Sequence, residues 1–149
     1  MAGDCVFCAI IAGEAEVSMV LEDEKVAVWM DLNPVSRGHL LVVPRRHVAG
    51  LDDLDGRTGA HVWAVGREMA RALRRSSLGC EGVNLVVCDG AAAFQTVFHF
   101  HLHVVPRHHG DGLGAPFAVE TVECERSLLD ADARTIRAAI EGQDVPPPR

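Results

Sequence analysis

Apolar residues occur in short runs separated by polar and turn-forming residues, and two longer stretches show helical spacing. Short runs of this kind are typical of β-strands, and they predict strands over 17–21, 26–30, 39–43, 83–88 and 97–105, with a further strand over 117–122. Spacing of three and four residues predicts helices over 58–75 and 129–140, and the apolar run 5–12 predicts a short helix. Strands and helices mixed in one chain predict an α+β fold.

Composition favours one globular domain. The chain has 149 residues, 48% of them hydrophobic and 23% charged, which is enough apolar surface for a packed core. We expect the domain to span residues 1–142 and the proline-rich tail 143–149 to be disordered. The net charge of −7 argues against a DNA- or RNA-binding protein and against a polybasic membrane binder.

The N-terminal stretch has no basic region followed by a long apolar run, and no segment approaches the roughly 20 apolar residues of a membrane span. The five cysteines are therefore expected to be reduced or metal-bound rather than paired in disulfides. We expect a cytoplasmic protein.

A histidine cluster is the most informative motif. His99, His101 and His103 alternate with apolar residues, so a strand would place the three imidazoles on one face and the apolar side chains on the other. Ordinary surface histidines are one interpretation, and a single metal site is another. The outer two histidines would lie roughly 13 Å apart on a strand, which is too far for one zinc ion with bonds of about 2.0–2.1 Å.

A division of labour fits the cluster better, with one histidine structural, one nucleophilic and one contacting phosphate or donating a proton. Neutral imidazole is available near pH 7 for attack at phosphorus. The preceding loop 90–96 is rich in small residues, and its backbone N–H groups could cradle phosphate oxygens.

Three segments carry a resemblance to the histidine-triad family, and they read QTVFHFHLHVVPR at 95–107, DLNPVSRGHLLVVP at 31–44 and CVFCAIIAGE at 5–14. The similarity runs from about residue 4 to 109 and is greatest to the Hint-type branch. It implies a five-stranded antiparallel sheet flanked by helices, with the sheets of two copies pairing in a homodimer.

The resemblance also implies roles for individual residues. His101 would be the nucleophile, and His103 would contact the phosphate or protonate the leaving group. His39 would orient His101 through its other nitrogen. Gln95 and Thr96 would hold the α-phosphate region.

Substrate contacts follow in the same way. Asp31 would accept hydrogen bonds from the ribose hydroxyls, and Cys88 stands where many Hint-type members have an asparagine that touches substrate. Phe94 replaces the glycine that usually precedes the glutamine, and threonine replaces serine at 96. The expected base pocket is lined by Val6, Phe7, Ile10, Trp29 and Leu32.

Cys5 and Cys8 form a C-x₂-C pair, which also fits two buried thiols. Some relatives bind zinc with two cysteines and two histidines at corresponding positions, so the resemblance implies a structural zinc ion held by Cys5, Cys8, His47 and His99. Such a Cys₂His₂ set is closed, and no cofactor is needed for the chemistry.

These observations predict an enzyme that cleaves nucleoside 5′-phosphoramidates or related nucleotidyl esters through a nucleotidyl-histidine intermediate. The expected type is an adenosine 5′-monophosphoramidase acting on purine nucleotides, as AMP or GMP derivatives. One alternative is a dinucleoside polyphosphate hydrolase or phosphorylase. A nucleotide-binding protein with little catalysis is another.

Overall fold

The computed structural model describes residues 2–115 and 119–141, and one antiparallel sheet organises them. Its strands run in the order β1-β2-β3-β5-β4, and every neighbouring pair is antiparallel. The strand bounds are β1 Met19–Glu22, β2 Val26–Met30, β3 Leu40–Pro44, β4 Gly82–Val86 and β5 Leu102–Arg107. The predicted five-stranded antiparallel sheet with flanking helices is confirmed.

Alternating residues of the central strands are buried in two different cores. Val28 and Val42 contribute to the larger core, whereas Trp29 and Leu41 contribute to the smaller one. Because successive side chains of a strand point to opposite faces, the two cores lie on opposite faces of the sheet. Burial on both faces explains why these strands are continuous apolar runs in the sequence.

Helices cover both faces. The larger core is closed by the two long helices α2 (Gly56–Arg75) and α3 (Arg126–Glu141), and the smaller one by the short helix α1 (Val6–Ile11). The α2 helix begins at Asp55, whose carboxylate accepts a hydrogen bond from the Thr58 backbone N–H at 2.9 Å. Where α2 crosses β5, a Cβ added at Gly66 would lie only 2.5 Å from Leu102 Cδ2, so glycine permits this close packing.

The fifth strand differs from its prediction over 97–105, because it begins at Leu102 and includes Pro106. Strand β3 pairs with β5 over residues 102–104 alone, so no strand lies beside Pro106 on that side. The Pro106 carbonyl faces that side and accepts from Ser36 Oγ at 2.6 Å. Proline therefore loses no ladder hydrogen bond there, and it does not end the strand.

Other predictions are corrected or lie outside the described residues. Residues 119–122 form no strand, and the rest of the strand predicted over 117–122 lies outside the described residues. The tail 143–149 also lies outside them. None of the described helices combines the length and apolar character of a membrane span. The pairing of the sheets of two copies in a homodimer stays a prediction, as do the single-domain bounds and the cytoplasmic location.

Candidate active site

A chain of hydrogen bonds fixes the proton positions of two histidines. The Val35 backbone N–H donates to His39 Nδ1 at 3.0 Å, and His39 Nε2 lies 3.0 Å from His103 Nδ1. Because a backbone amide can only donate, neutral His39 has its lone pair on Nδ1 and its proton on Nε2. His39 therefore donates to His103 Nδ1, and neutral His103 carries its own proton on Nε2.

His101 has the opposite arrangement. Its Nδ1 lies 2.7 Å from the backbone carbonyl of His99, which can only accept, so Nδ1 carries the proton. The lone pair of neutral His101 is therefore on Nε2. The rings of His101 and His103 are 4.8 Å apart between centroids, so two neighbouring imidazoles carry their protons on different nitrogens.

Burial keeps these imidazoles neutral. It lowers the pKa of His39 to about 4, with a smaller effect of charge on His101. Burial, with smaller effects of charge on His101 and His39, lowers the pKa of His103 to about 3. Burial also lowers the pKa of His101, although its bond to the His99 carbonyl and the charge of Asp31 oppose this. The form present at neutral pH is thus the nucleophilic, uncharged one.

Asp31 lies behind the histidine pair. Its Oδ1 accepts from the Asn33 backbone N–H at 2.8 Å, while Oδ2 is 3.4 Å from His39 Nε2 and 4.0 Å from His103 Nδ1. Burial raises the pKa of the Asp31 carboxyl, and the Asn33 N–H group and His101 oppose that rise. A carboxylate here favours protonation of the neighbouring imidazoles.

One cavity of about 320 Å³ lies between α1 and the sheet, with His101 and His103 in its lining. The Phe7 ring packs edge-on against Trp29 and His101, with centroid distances of 5.2 and 5.0 Å. We call this space between α1 and the sheet the α1 cavity. All five residues expected in the base pocket line it: Val6, Phe7, Ile10, Trp29 and Leu32.

A second cavity of about 280 Å³ adjoins it on the side of β4, and we call it the β4 cavity. Asp31, Asn33, Thr96 and His103 line both cavities, so the reactive imidazoles lie near their junction. The β4 cavity is lined further by Val86, Cys88, Phe94, Val105 and Thr121. Burial raises the pKa of the Cys88 thiol, which keeps it protonated at neutral pH.

The loop before the histidines is held together by the side chain of Gln95. Its Oε1 accepts from the Gly90 N–H at 2.7 Å, and its Nε2 donates to the carbonyls of Ala49 and Val97 at 2.8 and 3.1 Å. Gln95 is 6% exposed and lines neither cavity. Its neighbour Thr96 lines both.

The four residues expected to bind zinc also come together. Cys8 Sγ lies 3.4 Å from His47 Nδ1 and 3.5 Å from His99 Nδ1, and Cys5 Sγ lies 3.5 Å from His99 Nδ1. All four candidate ligand atoms are within 4.8 Å of one another. A tetrahedral zinc ion would separate sulfur and nitrogen ligands by about 3.6 Å, so this spacing fits the ion.

The tautomer of His99 fits it as well. His99 Nε2 lies 2.7 Å from the Pro44 carbonyl and must donate to it. The Nδ1 lone pair is then directed at the two sulfurs, which is the usual arrangement of a metal-bound histidine with its outer partner.

A second group, formed by Asp31, His39 and His103, also has its candidate ligand atoms within 4.8 Å of one another. Its protonation does not suit a metal. The Val35 N–H occupies His39 Nδ1 and so leaves the proton on Nε2, the atom that would have to bind the ion. This group is a hydrogen-bond relay.

One expected contact is wrong. His39 bonds to His103 and does not orient His101, which is held instead by the backbone carbonyl of His99. The Gln95 amide bonds to backbone groups of Gly90, Ala49 and Val97 and so holds the segment that carries Thr96. The expected role of Gln95 and Thr96 at the α-phosphate stays a prediction.

Sequence reasoning also missed three contributors. Asn33 was part of the segment that carries the resemblance but was given no role. No pattern in the sequence indicates that the Val35 N–H donates to His39 Nδ1. Arg126, which lines the α1 cavity and donates to Ser18 Oγ at 2.8 Å, lies beyond the region of similarity.

Comparisons with known proteins agree with this geometry. The model of the HIT domain matches residues 12–110. An uncharacterized HIT-like protein of Mycobacterium tuberculosis is 42% identical over 140 residues, covering 94% of this chain and 95% of its own. The adenylylsulfatase HINT3 of Arabidopsis thaliana is 33% identical over 137 residues, covering 92% of this chain and 68% of its own.

Among solved structures, a Zn-bound histidine triad family protein from Mycobacterium smegmatis is 42% identical, with a TM-score of 0.85 over 97% of this chain and 98% of its own. The matched family model, the similarity along nearly the whole chain and the shared fold agree, and this chain belongs to the HIT domain family, the histidine-triad proteins.

Proposed function

We propose that the protein is a nucleotidyl hydrolase that cleaves nucleoside 5′-phosphoramidates and related esters through a nucleotidyl-histidine intermediate. The observation that carries this proposal is that two neighbouring rings near the junction of two cavities differ in protonation, with a lone pair on His101 Nε2 and a proton on His103 Nε2. A nucleophile and a proton donor on either side of a phosphoryl group are what displacement requires.

The α1 cavity suits a nucleoside. Its aromatic and aliphatic wall can pack against the purine base of AMP or GMP derivatives. Asp31, which also lines this cavity, can accept hydrogen bonds from the ribose hydroxyls. The phosphoryl group then lies beside Thr96 and His101. The leaving group extends into the β4 cavity.

In the first step, the His101 Nε2 lone pair forms a bond to the α-phosphorus, and the bond from phosphorus to the leaving nitrogen breaks. The amine takes a proton from His103 in its imidazolium form, which returns to neutral imidazole. That form is reached on binding, because phosphoryl oxygens beside His103 raise its pKa from about 3. Asp31, 4.0 Å from His103 Nδ1, favours the same charge.

In the second step, water attacks phosphorus and the bond from phosphorus to His101 breaks. His103 has by then lost its Nε2 proton and keeps a proton on Nδ1, and Asp31 Oδ2, 4.0 Å from that nitrogen and 3.4 Å from His39 Nε2, accepts from both rings. The free Nε2 of His103 then accepts a proton from the attacking water. AMP or a related monophosphate leaves, and both histidines return to their starting states.

Charge in the β4 cavity favours amine or ester leaving groups over polyphosphates. Its described lining contains no lysine or arginine, and its two histidines have lowered pKa values. A dinucleoside polyphosphate would place several negative charges there without a cation to offset them. The relative named adenylylsulfatase supports cleavage at a nucleotidyl group in general.

We also propose that Cys5, Cys8, His47 and His99 hold a structural zinc ion, which stabilises the fold and takes no part in the reaction. A closed Cys₂His₂ set leaves no open position for substrate. By joining α1 to the segment before β5, the four residues would position Phe7 against His101.

The test is turnover of adenosine 5′-phosphoramidate. His101→Ala should lower kcat by roughly 10³-fold or more, since the nucleophile is lost. His61→Ala removes an exposed α2 histidine outside both cavities and should keep the wild-type rate. Wild-type rates in His101→Ala would refute the mechanism, and tight AMP binding without turnover of any amidate or ester would show a binding protein instead.

A further inference from the structure

Two side chains of opposite charge, Glu16 and Arg126, line the α1 cavity, and the proposed reaction uses neither. Arg126 Nε lies 3.4 Å from Glu16 Oε1, and we call the two residues the charged pair. Most of the other residues that line this cavity are apolar. A few polar groups in a mostly apolar cavity are the usual means of selecting and orienting a ligand.

The Arg126 guanidinium is held in place by a buried hydroxyl group. Ser18, which is 2% exposed, donates from Oγ to Asp130 Oδ1 at 2.6 Å, so its oxygen accepts from Arg126 Nη1 at 2.8 Å. The guanidinium is planar, and its Nε–H bond and one Nη2–H bond point in the same direction. Arg126 therefore directs Nε and Nη2 to the side on which Glu16 lies.

The sheet order places the charged pair away from the reacting histidines. Glu16 precedes β1, and the Ser18 carbonyl accepts from the Met30 N–H at 3.0 Å, which continues the pairing of β1 with β2. Three strand spacings separate β1 from β5, which carries His103, and together they span roughly 14 Å. A nucleotide whose phosphoryl group lies beside His101 can therefore bring its base, the part farthest from phosphorus, to the charged pair.

The hydrogen-bonding groups of guanine match those of the charged pair. Guanine presents two adjacent donors, N1–H and N2–H, which the two carboxylate oxygens of Glu16 can accept, and its O6 can accept from Arg126 Nη2. In the same position, adenine would direct its N6–H donors at the guanidinium and its N1 lone pair at the carboxylate. Each adenine group would then face a group of its own kind, which opposes binding.

We propose that Glu16 and Arg126 contact the Watson–Crick edge of the base and make guanine the preferred base of the substrate. This inference rests on the proposed function, because it assigns the α1 cavity to the nucleoside of that reaction. Adenosine derivatives remain substrates of lower kcat/KM, since the apolar wall and the reacting histidines serve both purines. Hypoxanthine has O6 and N1–H but no N2–H, so inosine derivatives should be intermediate.

The test compares the 5′-phosphoramidates of guanosine, inosine and adenosine, which share one leaving group. Wild-type kcat/KM should be roughly 5- to 20-fold higher for guanosine than for adenosine, the lower part of the range for a bidentate base contact, because Glu16 is 74% exposed. The dissociation constants of GMP and AMP, measured by calorimetry, should differ in the same direction. This second measurement does not depend on turnover.

Glu16→Gln replaces one acceptor oxygen with an amide donor. It should reduce the guanosine preference to roughly 2-fold or less, while kcat/KM for the adenosine amidate should not fall. Arg126→Gln should also reduce the preference, in protein shown to be folded by thermal unfolding. The matched control is Glu14→Gln, which makes the same change at an exposed residue outside the α1 cavity and should keep the wild-type ratio.

The outcomes separate this inference from the proposed function. If wild-type protein turns over the amidates but shows no guanosine preference, or if Glu16→Gln keeps that preference or Glu14→Gln lowers it equally, the role of the charged pair is refuted while the proposed function stands. If no amidate is turned over, the proposed function fails. Equal affinities for GMP and AMP would then refute the base preference as well, and tighter GMP binding that Glu16→Gln abolishes would support it.

Discussion

His101 and His103 lie two positions apart in the sequence, and the group behind each ring decides its chemistry. The His99 carbonyl accepts a hydrogen bond from His101 Nδ1–H. The Val35 N–H donates to His39 Nδ1, and His39 Nε2–H in turn donates to His103 Nδ1. Alternation in the sequence predicted that the histidines share a face. It could not predict which ring presents a lone pair, because both deciding groups belong to the backbone.

His39→Ala should impair reactions that need a protonated leaving group more than those that do not. Without His39, His103 loses its buried partner at 3.0 Å and its fixed orientation. We expect kcat for adenosine phosphoramidate to fall roughly 100-fold, the lower end of effects from proton-transfer groups. The p-nitrophenyl ester of AMP, which leaves as an anion, should lose only a few-fold. An equal loss for the two substrates, measured on folded protein, would count against the relay.

At the scale of elements, the apolar pattern predicted the strands well wherever both faces are buried. It failed at residues 97–101, where Phe100 N–H donates to the Val48 carbonyl and the His99 side chain lies with Cys5, Cys8 and His47 in the candidate metal site. Tertiary contacts there replace the hydrogen bonds between strands. It also failed to show that Arg126 at the start of α3 reaches the α1 cavity. Such contacts join distant parts of the chain and leave no local periodicity.

Helix α3 lies outside the matched family region 12–110 and still completes the larger core. Ile136 is fully buried there, so Ile136→Ala should lower the free energy of unfolding by about 2–5 kcal/mol. Urea denaturation measures this. Arg134→Ala, on the exposed side of α3, should change it by less than about 0.5 kcal/mol. Similar small losses in both variants would show that α3 is not part of the cooperative core.

At the scale of the whole molecule, much of the site could be predicted as residue types. The resemblance named the expected zinc ligands and the expected base-pocket residues, and the structure places each set in one location. The β4 cavity and the role of the Gln95 loop could not be predicted, because both depend on how β4, β5 and the residues around 94 and 121 meet in space.

Zinc should contribute to the stability of the folded chain. We expect about one zinc ion per chain by elemental analysis, and Cys8→Ser should lose the ion and melt at a lower temperature. Cys80→Ser replaces a cysteine outside the cluster and should retain both properties. Full metal content and unchanged melting in Cys8→Ser would exclude this role.

Stability should fall below about pH 6.5 because His103 stays neutral when folded. Its folded pKa is about 3, so between these values the unfolded chain binds a proton that the folded chain does not. The wild type should lose up to about 1.4 kcal/mol per pH unit from this residue, and His103→Asn should lack that slope. Denaturant unfolding of both proteins at pH 7 and 5 measures the difference, and parallel losses would contradict it.

Trapping and locating the covalent intermediate tests the central claim most directly. Protein quenched during turnover of a slow adenosine phosphoramidate should carry the mass of one AMP group, and peptide mass spectrometry should place it on His101. A group attached to His99 or His103, or wild-type turnover with no adduct at any quench time, would contradict the account.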